Sequence, residues 1–126
     1  MELSFTTRDH SQDMFPFDGP GKTLAHAFPP GRGLGGDIHF EDEEMWRVNS
    51  PVGTDLLFVA VHEIGHALGL SHSSEKGAVM QPFYPGYQPN LQLNEDDILG
   101  IQSLYGTKNS LNMETTTTTT TSKCKW

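Results

Sequence analysis

The stretch His62-Glu63-Ile64-Gly65-His66-Ala67-Leu68-Gly69-Leu70-Ser71-His72 decides how this chain is read. His62 and His66 are four residues apart, so on a helix they share one face, one turn above the other. Glu63 projects beside them and can reach a water held at a metal. Gly69 can end the helix in a left-handed conformation that a residue with a Cβ avoids. The turn it makes brings His72 back as a third nitrogen ligand. Three protein ligands leave a tetrahedral zinc with one open position, the catalytic and not the closed structural arrangement. A methionine follows eight residues later, in Val79-Met80-Gln81-Pro82. The competing reading is an amphipathic helix whose histidines merely face water. It requires neither the glycine nor the third histidine nor the methionine at these offsets.

The flanking residues read as a helix with two separate faces. Leu57, Val61, Ile64 and Leu68 recur with the i, i+4, i+7, i+11 rhythm of a buried stripe. At about 100° per residue, His62 and His66 point away from that stripe, toward a cleft. Thr54 and Asp55 precede the apolar run and can cap its free N–H groups. A closing helix is predicted over 94–106. Asn94 is its N-cap with Asp97 three residues on, Ile98, Ile101 and Tyr105 form its stripe, and Gly106 is its stop. Asp96 and Asp97 also suit the positive end of a helix. Leu3 to Thr7 reads as a strand. With Leu24 to Phe28 and Asp37 to Phe40 it makes three strands of a sheet, the last two separated by the glycine-rich loop Pro30 to Gly36.

These residues resemble the metzincin clan of zinc endopeptidases, and within it the matrix metalloproteinases, or matrixins. Ser73, directly after the third histidine, is the matrixin choice; an acidic residue there marks other branches of the clan. The resemblance runs from about Ser4 to Gly106. It passes through Pro16-Phe17-Asp18-Gly19-Pro20-Gly21, Leu24-Ala25-His26-Ala27-Phe28, Gly35-Gly36-Asp37-Ile38-His39-Phe40 and the Met80 segment. It implies an α+β, zincin-like fold with a partial twisted mixed sheet, an active-site helix and a C-terminal helix. Residues 1–106 are then expected to be part of a catalytic domain that begins upstream of Met1. Residues 107–126, with seven consecutive threonines from Thr115 to Thr121, are expected to be a disordered hinge-like tail.

Two kinds of metal are expected. Three of the six histidines belong to the catalytic zinc. The other three, His10, His26 and His39, lie upstream with Asp13, and one carboxylate with three imidazoles makes a closed four-coordinate structural zinc site. From the residues alone, unrelated surface histidines are the equal alternative; the resemblance favours the site. The family reads H-x-D here, whereas this chain has one extra residue in His10-Ser11-Gln12-Asp13, which leaves Asp13 in register and His10 one position early. Asp18, Glu41 and Glu44 are hard oxygen donors, as calcium requires. The resemblance adds the carbonyls of Gly19, Gly21 and Thr23 to that calcium, and Gly33, Gly35 and Asp37 to a second one. Glu41 stands where the family usually has aspartate. A solvated acidic loop is the alternative for Glu41 to Glu44.

The function implied is peptide-bond hydrolysis by a zinc-activated water, with Glu63 as general base. Thr23, Leu24 and Ala25 resemble the family's edge strand, which holds an extended substrate by backbone pairing. Pro82, Phe83 and Tyr84 resemble the wall of the primary specificity pocket. Phe58 falls at the position that sets pocket depth, where a large ring predicts a shallow pocket; a core aromatic is the alternative. Met80 would form a hydrophobic floor beneath the metal. Polypeptide substrates of the extracellular-matrix kind, protein inhibitors of metalloproteinases and an extracellular location follow from the resemblance. The alternative to an enzyme is a catalytically silent zinc-binding fragment or splice product.

Composition sets outer bounds. A chain of 126 residues makes one small domain. A net charge of -8 argues against nucleic acid or anionic membrane as partners. The lone Cys124 allows no intrachain disulfide, so stability leans on metals. No apolar run is long enough to span a bilayer, and Met1 to Arg8 lacks the apolar segment of a signal peptide.

Overall fold

The computed structural model describes residues 1–8 and 13–107. Its elements are strands β1 (Leu3–Thr6), β2 (Ala25–Ala27), β3 (Ile38–Glu41), β4 (Trp46–Arg47) and β5 (Thr54–Asp55), then helices α1 (Leu56–Ala67) and α2 (Glu95–Tyr105). The first three strands form a mixed sheet in the order β1-β3-β2. β1 runs parallel to β3 with Leu3 opposite Ile38, and β2 runs antiparallel to it with His26 opposite His39. The architecture is α+β, as expected. The strand ends differ from the reading by a residue or so: Thr7 lies outside β1, and β3 is shifted to include Glu41. The short parallel pair β4–β5 leaves no readable period in two residues per strand.

β3 is the centre of the core because it is paired on both edges and buried along its whole length. Ile38 and Phe40 project from it onto Val59 and Ala67 of α1, and Leu56, Ala60 and Ile64 pack around this cluster. The core stripe of α1 is therefore Leu56, Val59, Ala60, Ile64 and Ala67. The predicted stripe of Leu57, Val61, Ile64 and Leu68 is largely one residue out of phase, and Leu57 is 43% exposed. One residue on a helix is a rotation of about 100°. A run that is apolar nearly all round, Leu56 to Val61, does not reveal which side the sheet takes.

Both helices are capped as the residues demand. The Asp55 side chain accepts the N–H of Leu57 at 3.1 Å. Asn94 and Asp97 form a capping box, and Gly106 closes α2 with φ +82°. The apolar stripe of α2 remains mostly at the surface, with Ile98 40% and Tyr105 57% exposed. Polar bonds dock this helix instead. The buried Asp97 carboxylate accepts the N–H groups of Val79 at 2.8 Å, Met80 at 3.1 Å and Asn94 at 2.9 Å. Ser73 Oγ donates to Asp96 at 2.6 Å, and the Tyr105 hydroxyl donates to the Leu68 carbonyl at 2.7 Å.

Removing the Asp97 carboxylate orphans three backbone donors, two of them in a buried loop. Asp97→Ala is expected to lower unfolding free energy by at least about 3 kcal/mol, read from urea denaturation. Asp97→Asn, which keeps one acceptor oxygen, is expected to lose less.

Candidate metal centre and cleft

The C-terminus of α1 is built to return the chain toward its own side. Gly69 has φ +104°, a left-handed value that suits glycine. Its N–H bonds the His66 carbonyl at 2.9 Å and the Leu70 N–H bonds the Gly65 carbonyl at 2.9 Å. That pair of bonds is a Schellman closure. Two residues further on, His72 lies beside the helix histidines. Ring centroids are 4.7 Å apart for His62–His66, 4.6 Å for His66–His72 and 5.3 Å for His62–His72. One ligand nitrogen from each lies within 4.8 Å of the others. The Ser73 N–H, bonded to the Met80 carbonyl at 2.8 Å, fixes the backbone next to His72.

The hydrogen bonds of the two helix histidines show what this cluster fits. His62 Nδ1 lies 2.7 Å from the Val79 carbonyl oxygen, and His66 Nδ1 lies 2.8 Å from that of Leu70. A carbonyl only accepts, so each Nδ1 carries a proton, and a ring in its neutral form then presents a bare Nε2 lone pair. Those two Nε2 atoms face each other at 3.1 Å. Two lone pairs at that distance repel unless a cation lies between them. Burial, the main influence, pushes the His62 imidazole below its usual pKa and favours the neutral, ligating form. Carbonyl-anchored imidazoles are a regular outer shell of a metal site. The residues present therefore fit zinc.

Met80 is 3% exposed and packs against α1 at Gly65, between His62 and His66 in sequence, where a Cβ would overlap its sulfur. The Met80 loop also supplies the Val79 carbonyl that orients His62. Through Asp97 it is tied to α2. Glu63 lines the cleft beside the histidines and is 6% exposed. Among the described residues its Oε2 has no hydrogen-bond partner. Burial pushes its carboxyl up to about 7.

The cleft has a volume of about 760 Å³. Thr23, Leu24, Ala25, Phe58, Pro82, Phe83 and Tyr84 all line it. β2 forms one wall. The Leu24 carbonyl accepts the Glu41 N–H and the Phe28 N–H donates to Asp37, both at 2.9 Å, so residues 24, 26 and 28 turn their backbones toward β3. By the two-residue period, Ala25 and Ala27 turn theirs to the open edge. The Leu24 carbonyl is thus spent inside the sheet. Phe58 is both buried and cleft-lining, edge-on to Tyr84 at 5.6 Å between ring centroids. The Tyr84 hydroxyl accepts the Asp55 N–H at 2.8 Å, which pins the wall to the start of α1. Val59 and Gln81 also line the cleft and were not singled out from sequence. Val59 lies four residues before Glu63, a helical spacing that could have found it.

A second cluster sits behind β2. Asp13 Oδ2 lies 3.0 Å from His26 Nε2 and 2.7 Å from His39 Nδ1, and these nitrogens are 3.3 Å apart. Three donor atoms thus surround one point, and the Asp13 side chain is 2% exposed. Phe17 stacks on His26 at 4.8 Å, and Phe28 meets His26 and His39 edge-on at 5.6 Å each, an apolar shell. This donor set also fits zinc. His10, the expected fourth ligand, lies outside the described residues.

The calcium residues are arranged differently. Asp18, Glu41 and Glu44 do not converge as a cluster among the described residues. Each accepts a backbone N–H from the same loop: Asp18 from Thr23 at 3.1 Å, Glu41 from Gly19 at 3.3 Å, and Glu44 from Gly21. The Thr23 N–H foremost, and the Lys22 ammonium more weakly, hold the Asp18 carboxyl below its usual pKa. Gly33 has φ +69° in the loop before Asp37, and Asp37 accepts the Glu2 N–H at 2.8 Å.

Gly69→Ala places a Cβ in the left-handed region, at a cost of about 1–2 kcal/mol, and shifts the return of His72. Its zinc affinity, measured by chelator competition, is expected to fall at least several-fold. Glu63 gives a pH-dependent expectation for metal-free protein. Its folded-state pKa of about 7 lies above the ordinary 4.5. The proton therefore favours the folded state, and this stabilisation is lost as pH rises from about 4.5 through about 7. Glu63→Gln should match wild type in melting experiments near pH 4.5 and exceed it at pH 8, by up to roughly 3 kcal/mol.

Comparison with known proteins agrees with this geometry. Residues 1–106 match the matrixin family model. The chain is 56% identical to matrilysin of Mus musculus over 110 residues, which is 86% of this chain and 41% of that protein. It is 52% identical to stromelysin-2 of Rattus norvegicus over 110 residues, 86% of this chain and 23% of that protein. With matrix metalloproteinase-18 of Xenopus laevis it shares 50% identity over 125 residues, 98% of this chain and 26% of that protein. The chain thus spans less than half the length of these relatives. With a family match over nearly all of the described residues, one histidine cluster on α1 and the turn after it, and another on the mixed sheet, the chain belongs to the matrixin family.

Proposed function

We propose that this chain is a zinc-dependent endopeptidase that hydrolyses polypeptides of the extracellular-matrix kind. The observation that carries the reading is the pair of carbonyl-anchored imidazoles whose Nε2 atoms meet at 3.1 Å beside a buried carboxylate. His62, His66 and His72 would hold the catalytic zinc. Zinc there supplies Lewis acidity toward a peptide carbonyl and lowers the pKa of a water to about 7. Glu63 takes a proton from the attacking water and passes it to the departing amine as the C–N bond breaks. Its burial and the lack of a hydrogen-bond partner at Oε2 among the described residues suit a base that must accept and then release a proton. The backbones of Ala25 and Ala27 pair with an extended substrate. Phe58, Pro82, Phe83 and Tyr84 bound the side-chain pocket, and Met80 supports the histidines from below.

Asp13, His26 and His39, with His10, hold a structural zinc. Its support is the convergence of three donors inside an aromatic shell. Asp18, Glu41 and Glu44 with the carbonyls of Gly19, Gly21 and Thr23 take a calcium, and Asp37 with Gly33 and Gly35 takes another. Support for the first is that all three carboxylates reach the same loop, residues 18–23. Residues 1–106 act as part of the catalytic domain and 107–126 as a hinge-like tail. Protein inhibitors of metalloproteinases and an extracellular setting complete the reading. Among the described residues no helix is long and apolar enough to cross a membrane.

Quenched-peptide hydrolysis tests the proposal. Zinc-loaded wild type is expected to turn over. Glu63→Ala should retain zinc in metal analysis and lose about 10²- to 10⁴-fold in rate. Equal rates for the two proteins would remove Glu63 as base. Absent turnover with both zinc sites filled would favour the silent zinc-binding chain.

A further inference from the structure

The cleft is poor in fixed charge for a chain with 16 acidic and 8 basic residues. Of the ionisable residues lining it, the four histidines belong to the two clusters and Glu63 is buried at the floor. Lys22 is the one Lys or Arg among the described residues that line it, and it is exposed. Its Nζ donates to the backbone carbonyl of Asp18 at 3.0 Å. That neutral partner steadies the ammonium without cancelling its charge and leaves two N–H donors available. The nearest carboxylate in sequence, that of Asp18, accepts the Thr23 N–H. Lys22 lies three residues before Ala25, the first residue whose backbone opens to the cleft. At about 3.3 Å per extended residue, it stands at most roughly 10 Å from Ala25, at the bend that leads into the β2 edge. A bound strand continuing along that edge would bring a side chain past the ammonium.

We propose that Lys22 is a specificity-determining residue that selects a carboxylate side chain in the polypeptide, at the substrate position passing the Lys22 end of the β2 edge. The inference rests on the peptide-hydrolase reading above and deepens it. A protein of net charge -8 disfavours acidic polypeptides at long range. Lys22, with the Asp18 carboxylate as a charged neighbour, therefore acts by register, favouring one acidic residue at one position and not acidic chains in general.

The test uses zinc-loaded protein and matched quenched peptides carrying Glu, Gln or Lys in turn at each of three positions on either side of the scissile bond. At one position, wild type is expected to prefer Glu to Gln by about three- to fivefold in kcat/KM, the range of an exposed ion pair. The Glu/Gln ratio should fall to near one in Lys22→Gln, persist in Lys22→Arg, invert in Lys22→Glu, and shrink with added salt. A strap that only closes the Asp18–Lys22 turn would change all peptides alike and leave the ratio unmoved. An unchanged ratio in Lys22→Gln, or no position preferring Glu, overturns the proposal while peptide hydrolysis stands. Anisotropy binding of the same peptides to zinc-loaded Glu63→Gln separates the two claims. A residue-22-dependent Glu preference in binding without wild-type hydrolysis would sink the hydrolase reading and keep Lys22 as selector. Absence of both binding and hydrolysis would sink both.

Discussion

Two hydrogen bonds from imidazole to backbone carry the organisation of this molecule. The bonds from His62 to the Val79 carbonyl and from His66 to the Leu70 carbonyl fix which ring nitrogen bears the proton. They thereby aim two lone pairs at one point. Neither acceptor belongs to the helix that bears the histidines. Leu70 lies beyond the glycine closure, and Val79 belongs to the loop containing Met80. The candidate metal centre is thus made by packing three segments against one another, and the histidine spacing on α1 is only its first requirement.

Asp97 extends the same logic outward. One buried carboxylate caps α2 and holds the amides of Val79 and Met80. The Val79–Met80 peptide unit therefore links a helix cap to His62 in two hydrogen bonds. This explains how α2 is docked while much of its apolar stripe stays exposed. Ser73 plays a parallel part on the other side of His72. Its N–H reaches Met80 and its hydroxyl reaches Asp96. The residue that marks the matrixin branch in the sequence is, in three dimensions, a brace between the third histidine and α2.

β2 stands between the two histidine clusters. Its register with β3 sets His26 opposite His39 and commits both rings to the Asp13 cluster. The same alternation turns the backbones of Ala25 and Ala27 outward to the cleft. A slip of one residue would exchange these faces. The aromatic rings around Asp13 and the pairing with β3 both oppose such a slip, so the cluster behind the strand also keeps the cleft edge in place.

Much of this was legible in the chain itself. The His62 to His72 spacing, the capping residues Asp55, Asn94 and Asp97, and the stop at Gly69 act over a turn or two of backbone, so local sequence determined them. The phase of the α1 core stripe was not legible. Leu56 to Val61 is apolar on most sides, and only contact with Ile38 and Phe40 selects Leu56, Val59 and Ala60 as the inward face. The use of the Leu24 carbonyl inside the sheet, the docking of α2 through Asp97 and Ser73, and the facing of the two Nε2 atoms were likewise decided by tertiary structure. Each depends on groups far apart in sequence meeting within hydrogen-bond distance, and residue type and spacing carry no record of that meeting.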